Sequence, residues 1–255
     1  MRLWNISAIL VFIAIIMISC APDEHAGQSA NPQDAGISTT SAAKPVQRQP
    51  SATSSTSTTT TPDVPGFKPY PPLWEAANSQ GAMWTGYALQ VVEGEASSLL
   101  DGAQDIGQFC PRYYQLNTQE KANFWVYLMS TVAKYESDFK PTDRYREPGM
   151  GVDPITHQHV ESEGLLQLSY QDERGRPFCK FDWSHDKSLA ANSPQKTILN
   201  PLTNLECGID ILAQQVREHH RISINAGAYW STLETGNRYG KIPQIRALTH
   251  KIPFC

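Results

Sequence analysis

The sequence contains no block of basic residues. Its 21 lysine and arginine residues are fewer than its 25 aspartate and glutamate residues, which gives a formal net charge of −4 at pH 7. Proteins that bind nucleic acids concentrate positive charge on one face or in one segment. We therefore expect no DNA or RNA partner.

Apolar runs long enough to cross a membrane are also missing from the chain. One mostly apolar run, Ile6–Ile18, follows Arg2 and leads to Cys20. A permanent spanning helix needs about 20 apolar residues, whereas a shorter run behind a positive charge is typical of a signal peptide. We therefore predict export, with residues 1–20 as the signal peptide.

Large apolar residues are almost absent from residues 21–70. This stretch consists mainly of Ser, Thr, Pro, Ala and Gln, and residues 51–61 are nearly all Ser or Thr. A segment of this composition cannot bury a hydrophobic core. We predict a disordered tether in front of one globular domain, residues 71–255.

Cysteine is scarce, and four of the five cysteines lie in the predicted domain: Cys110, Cys179, Cys207 and Cys255. None of them has a partner at the close spacing of zinc ligands, so we expect no metal site. An even number of cysteines in an exported domain is typical of disulfides. Three pairings are open, and we favour Cys110 with Cys255 and Cys179 with Cys207, because the terminal Cys255 has no other evident role.

The predicted domain has mostly helical patterns. One helix is predicted over Trp84–Leu100. A second begins near Asn117, whose spacing to Glu120 matches a capping box. The apolar stripe of this second helix has helical spacing and comprises Ala122, Trp125, Val126, Met129, Val132 and Ala133.

Turn residues interrupt the helical pattern between Lys140 and Gly164, where prolines and glycines bracket a predicted short β-hairpin. A further helix is predicted from Asn200, a cap residue that is followed by a proline in the first turn. A short last helix is predicted over residues 244–250. The expected fold class is therefore mostly α, of the α+β type, with a hairpin among helices.

Glu136 occupies the next position on the apolar stripe of the second helix. If its carboxyl group faces the core or a cleft, burial raises the pKa, and the protonated group can donate to a glycosidic oxygen. The alternative is a glutamate at a helix end that reaches solvent. Periodicity alone leaves both interpretations open.

Four short motifs follow one another between about Asn117 and Leu233. They are Tyr135-Glu136-Ser137-Asp138-Phe139, Gly164-Leu165-Leu166-Gln167-Leu168-Ser169, Asn200-Pro201 with Asn204-Leu205 and Gly208, and Ala228-Tyr229. In this order they resemble the motifs of the soluble lytic transglycosylases, a family that shares the lysozyme fold with goose-type lysozymes. Leu166 replaces the family's methionine, Trp230 replaces its asparagine, and the stretch between Glu136 and Gly164 is longer than usual.

The resemblance implies a lysozyme-like fold with the hairpin beside an active-site cleft, and it implies roles for individual residues. Glu136 is the expected general acid and base, and Ser137 is an expected structural residue beside it. Leu166 and Gln167 are expected to form the floor of the sugar cleft, where Gln167 hydrogen-bonds the glycan. Tyr229 is expected to hold Glu136 through its hydroxyl group.

The function implied by the resemblance is cleavage of the β-1,4 bond between N-acetylmuramic acid and N-acetylglucosamine in peptidoglycan. A lytic transglycosylase closes a 1,6-anhydro ring and needs no metal or organic cofactor, and Trp230 is the tryptophan that we expect to stack on a sugar ring. One alternative is a lysozyme that hydrolyses the same bond with a second carboxylate, for which the candidates are Asp153, Glu161 and Glu163. Another is a non-catalytic peptidoglycan-binding lipoprotein.

The residues around Cys20 resemble the lipobox of bacterial lipoproteins, in which the cysteine is acylated and becomes the new N-terminus. Ala21 rather than aspartate after Cys20 resembles the sorting signal for an outer membrane. The expected protein is a monomer, anchored by lipid at Cys20, that faces the periplasm and acts on peptidoglycan strands.

Overall fold

The structure, a computed structural model, describes residues 67–255. The expected signal peptide, Cys20 and most of the expected tether lie outside these residues. The helices are α1 (Leu73–Ala77), α2 (Gly81–Glu93), α3 (Thr118–Glu136), α4 (Trp183–Asp186), α5 (Pro201–His219) and α6 (Ile242–Thr249), and the strands are β1 (Arg144–Arg146) and β2 (Glu161–Glu163). Short 3₁₀ turns join several of them. The predicted fold class, mostly helical with one small antiparallel sheet, is confirmed.

Helix α3 is the centre of the core. All of its residues from Ala122 to Ala133 are buried, and it packs against α1, α2 and α6. The sequence predicted a single apolar stripe, but a helix that is covered on all sides buries its polar residues too. Two of these hold the segment around α1: the Tyr70 backbone N–H donates to Asn123 Oδ1 at 2.7 Å, and the Leu73 N–H donates to Ser130 Oγ at 3.0 Å.

Helix starts were predicted correctly where a capping side chain marks them. Asn117 and Glu120 form the predicted capping box at the start of α3, and the Asn200 side chain caps α5 as predicted. The helix predicted over Trp84–Leu100 starts earlier, at Gly81, and ends at Glu93, where Gly94 leaves the helical conformation. A 3₁₀ turn follows after it.

The two strands form the predicted hairpin, in which Tyr145 lies opposite Ser162. The pairing extends past β1, because the Glu147 N–H donates to the Val160 carbonyl at 3.0 Å. Side chains alternate between the two faces of a strand. The hairpin therefore has a cleft face, defined by Tyr145, Glu147 and Ser162, and a back face, defined by Arg144, Arg146, Glu161 and Glu163.

Two disulfides close the domain. They join Cys110 to Cys255, 145 positions apart, and Cys179 to Cys207, 28 positions apart. This is the pairing that we favoured from the sequence. Disulfides persist in oxidising compartments, so the domain is of an extracytoplasmic type. Among residues 67–255, no helix has the length and hydropathy needed to cross a membrane.

Candidate functional site

Glu136 lies at the last turn of α3, where it faces a cleft of about 670 Å³. The other walls of the cleft come from the hairpin, from the loop that follows β2 and from residues 229–231. Because α3 is buried along most of its length, the helix fixes the position of the Glu136 backbone. The cleft thus contains a carboxyl group on the helix at the centre of the core.

The pKa of Glu136 is raised to about 7, mainly by burial and to a smaller extent by the negative charge of Glu147. The Thr232 hydroxyl donates to Glu136 Oε1 at 2.8 Å and opposes this shift, since it favours the charged form. Burial is the largest of the three effects. A large fraction of Glu136 therefore carries a proton near neutral pH, as a general acid requires.

Glu147 is a second carboxylate in the same cleft. It projects from the cleft face of the hairpin, where it accepts a hydrogen bond of 2.6 Å from the Ser162 hydroxyl. Ser162 lies on β2, so this bond ties the Glu147 side chain to the neighbouring strand. Two glutamate carboxyl groups on different elements, one on α3 and one on the hairpin, thus line the same cleft, together with Asp143 and Asp172.

The loop after β2 is held by Asn204 of α5. The Asn204 side chain accepts the Leu166 N–H at 2.8 Å and donates to the Glu163 and Ile198 carbonyls. A Cβ atom at Gly164, where φ is +82°, would lie 2.5 Å from this side chain. A Cβ atom at Gly208 would lie 2.3 Å from the Leu166 side chain. These contacts explain why the second motif has glycine at position 164 and the third has glycine at position 208.

Gln167 lines the cleft floor in a backbone conformation that is rare for a residue with a side chain, with a φ of +51°. Its side-chain N–H groups donate to the Gly164 carbonyl at 2.9 Å and to the Asp143 carbonyl at 3.3 Å. Strained conformations of this kind cluster at functional sites. Ser137 is structural, since its hydroxyl donates to the Leu165 carbonyl at 2.8 Å.

Tyr229 lines the cleft but does not hold Glu136 as expected. Its hydroxyl donates to Asp172 Oδ2 at 2.6 Å, and Arg176 pairs with the other oxygen of that carboxylate. The hydrogen bond to Glu136 comes instead from Thr232. The Tyr229 hydroxyl therefore belongs to a hydrogen-bonded group with Asp172 and Arg176 and not to Glu136.

Trp230 is a wall of the cleft and not an open platform. Its side chain is 2% exposed, and its indole N–H donates to the Leu166 carbonyl at 2.7 Å. The expected stacking of Trp230 on a sugar needs a free ring face, which this burial removes. Trp230 thus joins residues 229–231 to the loop that carries Leu166.

The three candidates for a second carboxylate lie away from the cleft. Asp153 is buried and accepts the backbone N–H groups of neighbouring loops. Glu161 and Glu163 are on the back face of the hairpin, where both pair with Arg144, and Glu163 also accepts from the buried Lys196 at 2.5 Å. The structure therefore does not bring any of them to Glu136.

The residues of the site that the sequence reasoning missed include Glu147 and Thr232. Glu147 follows a three-residue strand in a segment rich in prolines and glycines, so no long periodic pattern marks it. The alternation Tyr145-Arg146-Glu147 was the available signal, because it puts the aromatic residue and the carboxylate on one face. Thr232 comes from a 3₁₀ turn, for which no sequence signal was available.

No protein-family model matches the chain, and no curated protein matches it significantly. Solved structures do. The fold resembles that of DslA (Bd0314) from Bdellovibrio. The wild-type DslA structure is 26% identical with a TM-score of 0.60, and the alignment covers 72% of this chain and 97% of that chain.

Two DslA variants, each with one glutamate replaced by glutamine, are also similar to this chain. One is 27% identical with a TM-score of 0.61, covering 72% of this chain and 97% of the other. The second is 26% identical with a TM-score of 0.62, covering 74% and 100%. The likeness supports a lysozyme-like fold, and the glutamate variants point to a glutamate-dependent enzyme.

Proposed function

We propose that this protein is a peptidoglycan hydrolase of the lysozyme type, which cleaves the β-1,4 bond between N-acetylmuramic acid and N-acetylglucosamine. The observation that carries the proposal is the pair Glu136 and Glu147 in one cleft, of which Glu136 has a pKa of about 7. Glycoside hydrolysis by two carboxyl groups needs one protonated acid and one ionised partner. A protein that only binds glycan has no need of a carboxyl group with so high a pKa.

In the proposed reaction Glu136 donates its proton to the glycosidic oxygen as the bond from that oxygen to the anomeric carbon breaks. Glu147 accepts a proton from a water molecule, whose oxygen forms the new bond to the anomeric carbon. The Ser162 hydroxyl donates a hydrogen bond of 2.6 Å to Glu147 Oε1, which keeps the carboxylate oriented. Neither step calls for a metal or an organic cofactor.

The DslA variants add support from their spacing. The two glutamates replaced in them are eleven positions apart in that protein, and Glu136 and Glu147 are also eleven positions apart. The agreement is consistent with both pairs having the same two places in the fold. It favours Glu147 over Asp153, Glu161 and Glu163 as the second carboxylate.

The second candidate function is a lytic transglycosylase, which the four ordered motifs around Glu136 favour. In that reaction Glu136 serves both steps, and the muramyl 6-hydroxyl attacks in place of water. This candidate was preferred from the sequence on the premise that Glu136 acts alone. Glu147 weakens that premise.

Product analysis separates the two functions. After digestion of purified peptidoglycan, we expect muropeptides with a reducing-end muramic acid in the mass spectrum. The transglycosylase gives 1,6-anhydro products that are lighter by one water. Spectra dominated by the anhydro products would overturn the hydrolase proposal and leave Glu136 as the acid of a transglycosylase.

We further propose that Cys20 is acylated and anchors the protein, with the glycan strands of the periplasmic wall as its substrate. The support is the lipobox-like sequence at Cys20 together with two disulfides in the domain. In cells fed labelled palmitate, we expect the label on the wild-type protein and not on the Cys20→Ser variant. We also expect this variant to leave the membrane fraction. A wild-type protein without label would refute the anchor.

A further inference from the structure

The cleft presents one aromatic ring that is mostly exposed, Tyr145. Its side chain is 58% exposed, and Met150, which lies at the same rim, is 56% exposed. Most other cleft residues are polar or charged. Large apolar side chains that stay exposed together at the mouth of a polar cleft are typical of a ligand contact.

The other two aromatic residues that line the cleft, Tyr229 and Trp230, are less exposed than Tyr145 and pack against other side chains. Trp230 is buried, and its ring packs edge to face against Tyr229 with 4.8 Å between the centroids. The Arg176 guanidinium lies over the Tyr229 ring at 5.6 Å, and the Tyr229 hydroxyl is bound to Asp172. Among the residues that line the cleft, Tyr145 is therefore the aromatic side chain available for stacking.

The position of Tyr145 relative to Glu147 matches a glycan strand. Both lie on the cleft face of the hairpin, two residues apart, which separates their Cα atoms by about 7 Å along an extended chain. That distance is of the order of one sugar unit. A glycan strand that runs along the hairpin with its reacting bond near Glu147 would therefore place an adjoining sugar ring over Tyr145.

We propose that Tyr145 is a binding platform on which one pyranose ring of the glycan strand stacks through its apolar C–H face. The proposal rests on the proposed function and adds a residue that determines affinity for the strand. An aromatic ring offers a large, rigid apolar surface at little cost in conformational entropy. Tyr145 takes the role that we expected from Trp230.

The test uses Tyr145→Ala, Tyr145→Phe and Tyr239→Ala in the full chain. Tyr239 is a matched control, because it is 55% exposed and does not line the cleft. The measurements are KM and kcat on purified peptide-free glycan strands, and direct binding of the same strands by calorimetry. We expect Tyr145→Ala to raise KM and Kd about tenfold, whereas Tyr145→Phe and Tyr239→Ala stay within about twofold of wild type.

Two results would overturn the platform. Unchanged KM and Kd in Tyr145→Ala would exclude it, and an equal loss in Tyr145→Phe would assign the effect to the hydroxyl group and not to ring stacking. Failure of the proposed function looks different. In that case the wild type either does not cut the strands or cuts them to anhydro products, while the binding measurement still compares Tyr145→Ala with Tyr239→Ala.

Discussion

Replacing Glu136 with glutamine is expected to lower the rate of peptidoglycan cleavage by at least about 10³-fold. Glutamine keeps the size of the side chain and can still accept the Thr232 hydroxyl, but it has no proton to give to the leaving oxygen. The measurement is release of soluble muropeptides from purified wall over time. Cleavage within tenfold of the wild-type rate would show that Glu136 is not the acid.

The control that Glu136→Gln folds correctly is a comparison of its thermal stability with that of the wild type at two pH values. The pKa of Glu136 is raised to about 7 from a value near 4.5, so folded protein holds the proton more tightly than unfolded protein. Wild-type stability from this group is therefore present below pH 4.5 and lost as the pH rises through 7. Glu136→Gln should melt like wild type at pH 4.5 and be more stable by about 3 kcal/mol at pH 8. A variant less stable than wild type at both values would mean that the fold was damaged.

Replacing Glu147 with glutamine is expected to lower hydrolysis by about 10²- to 10³-fold, because the amide cannot accept a proton from water. The amide oxygen can still accept the Ser162 hydroxyl, which keeps the hairpin contact. The measurement is again muropeptide release, with mass analysis of the residual products. Removing the charge of Glu147 should also lower the pKa of Glu136 and move the alkaline limit of any remaining activity to lower pH.

Glu161→Gln is the matched control for Glu147→Gln. It makes the same chemical change in the same hairpin, but on the back face, where Glu161 pairs with Arg144. We expect its rate to stay within a few-fold of wild type. A strong loss in Glu161→Gln with little loss in Glu147→Gln would reverse the assignment of the second carboxylate. Full activity in both, with anhydro products, would favour the transglycosylase.

The fold was predictable where local chemistry decides the structure. The Asn117 capping box and the Asn200 cap each satisfy backbone N–H groups within one turn, so short sequence patterns identify them. The burial of α3 on all sides was not predictable, because it depends on contacts with helices distant in sequence. Its buried Asn123 and Ser130 look like surface residues until their partners in the segment around α1 are known.

The site was predictable in the same uneven way. Glu136 lies on a regular helix, so its position on a stripe could be read from the sequence. The face on which Glu147 lies depends on the register of a three-residue strand, and a shift of one residue would turn it away from the cleft. Tyr229 was assigned to Glu136 from the resemblance, and no sequence pattern marks Asp172 as the carboxylate within reach of its hydroxyl.

The hairpin and α3 divide the proposed reaction between two parts of the chain. Helix α3 is fixed by the core and supplies the proton donor, whereas the excursion from Lys140 to Gly164 supplies Glu147. Under the proposed function, the segment from Lys140 to Gly164 then determines which group attacks. That group is either water or an internal hydroxyl. Under this proposal, a change in the segment from Lys140 to Gly164 would be enough to exchange one outcome for the other while the core stays the same.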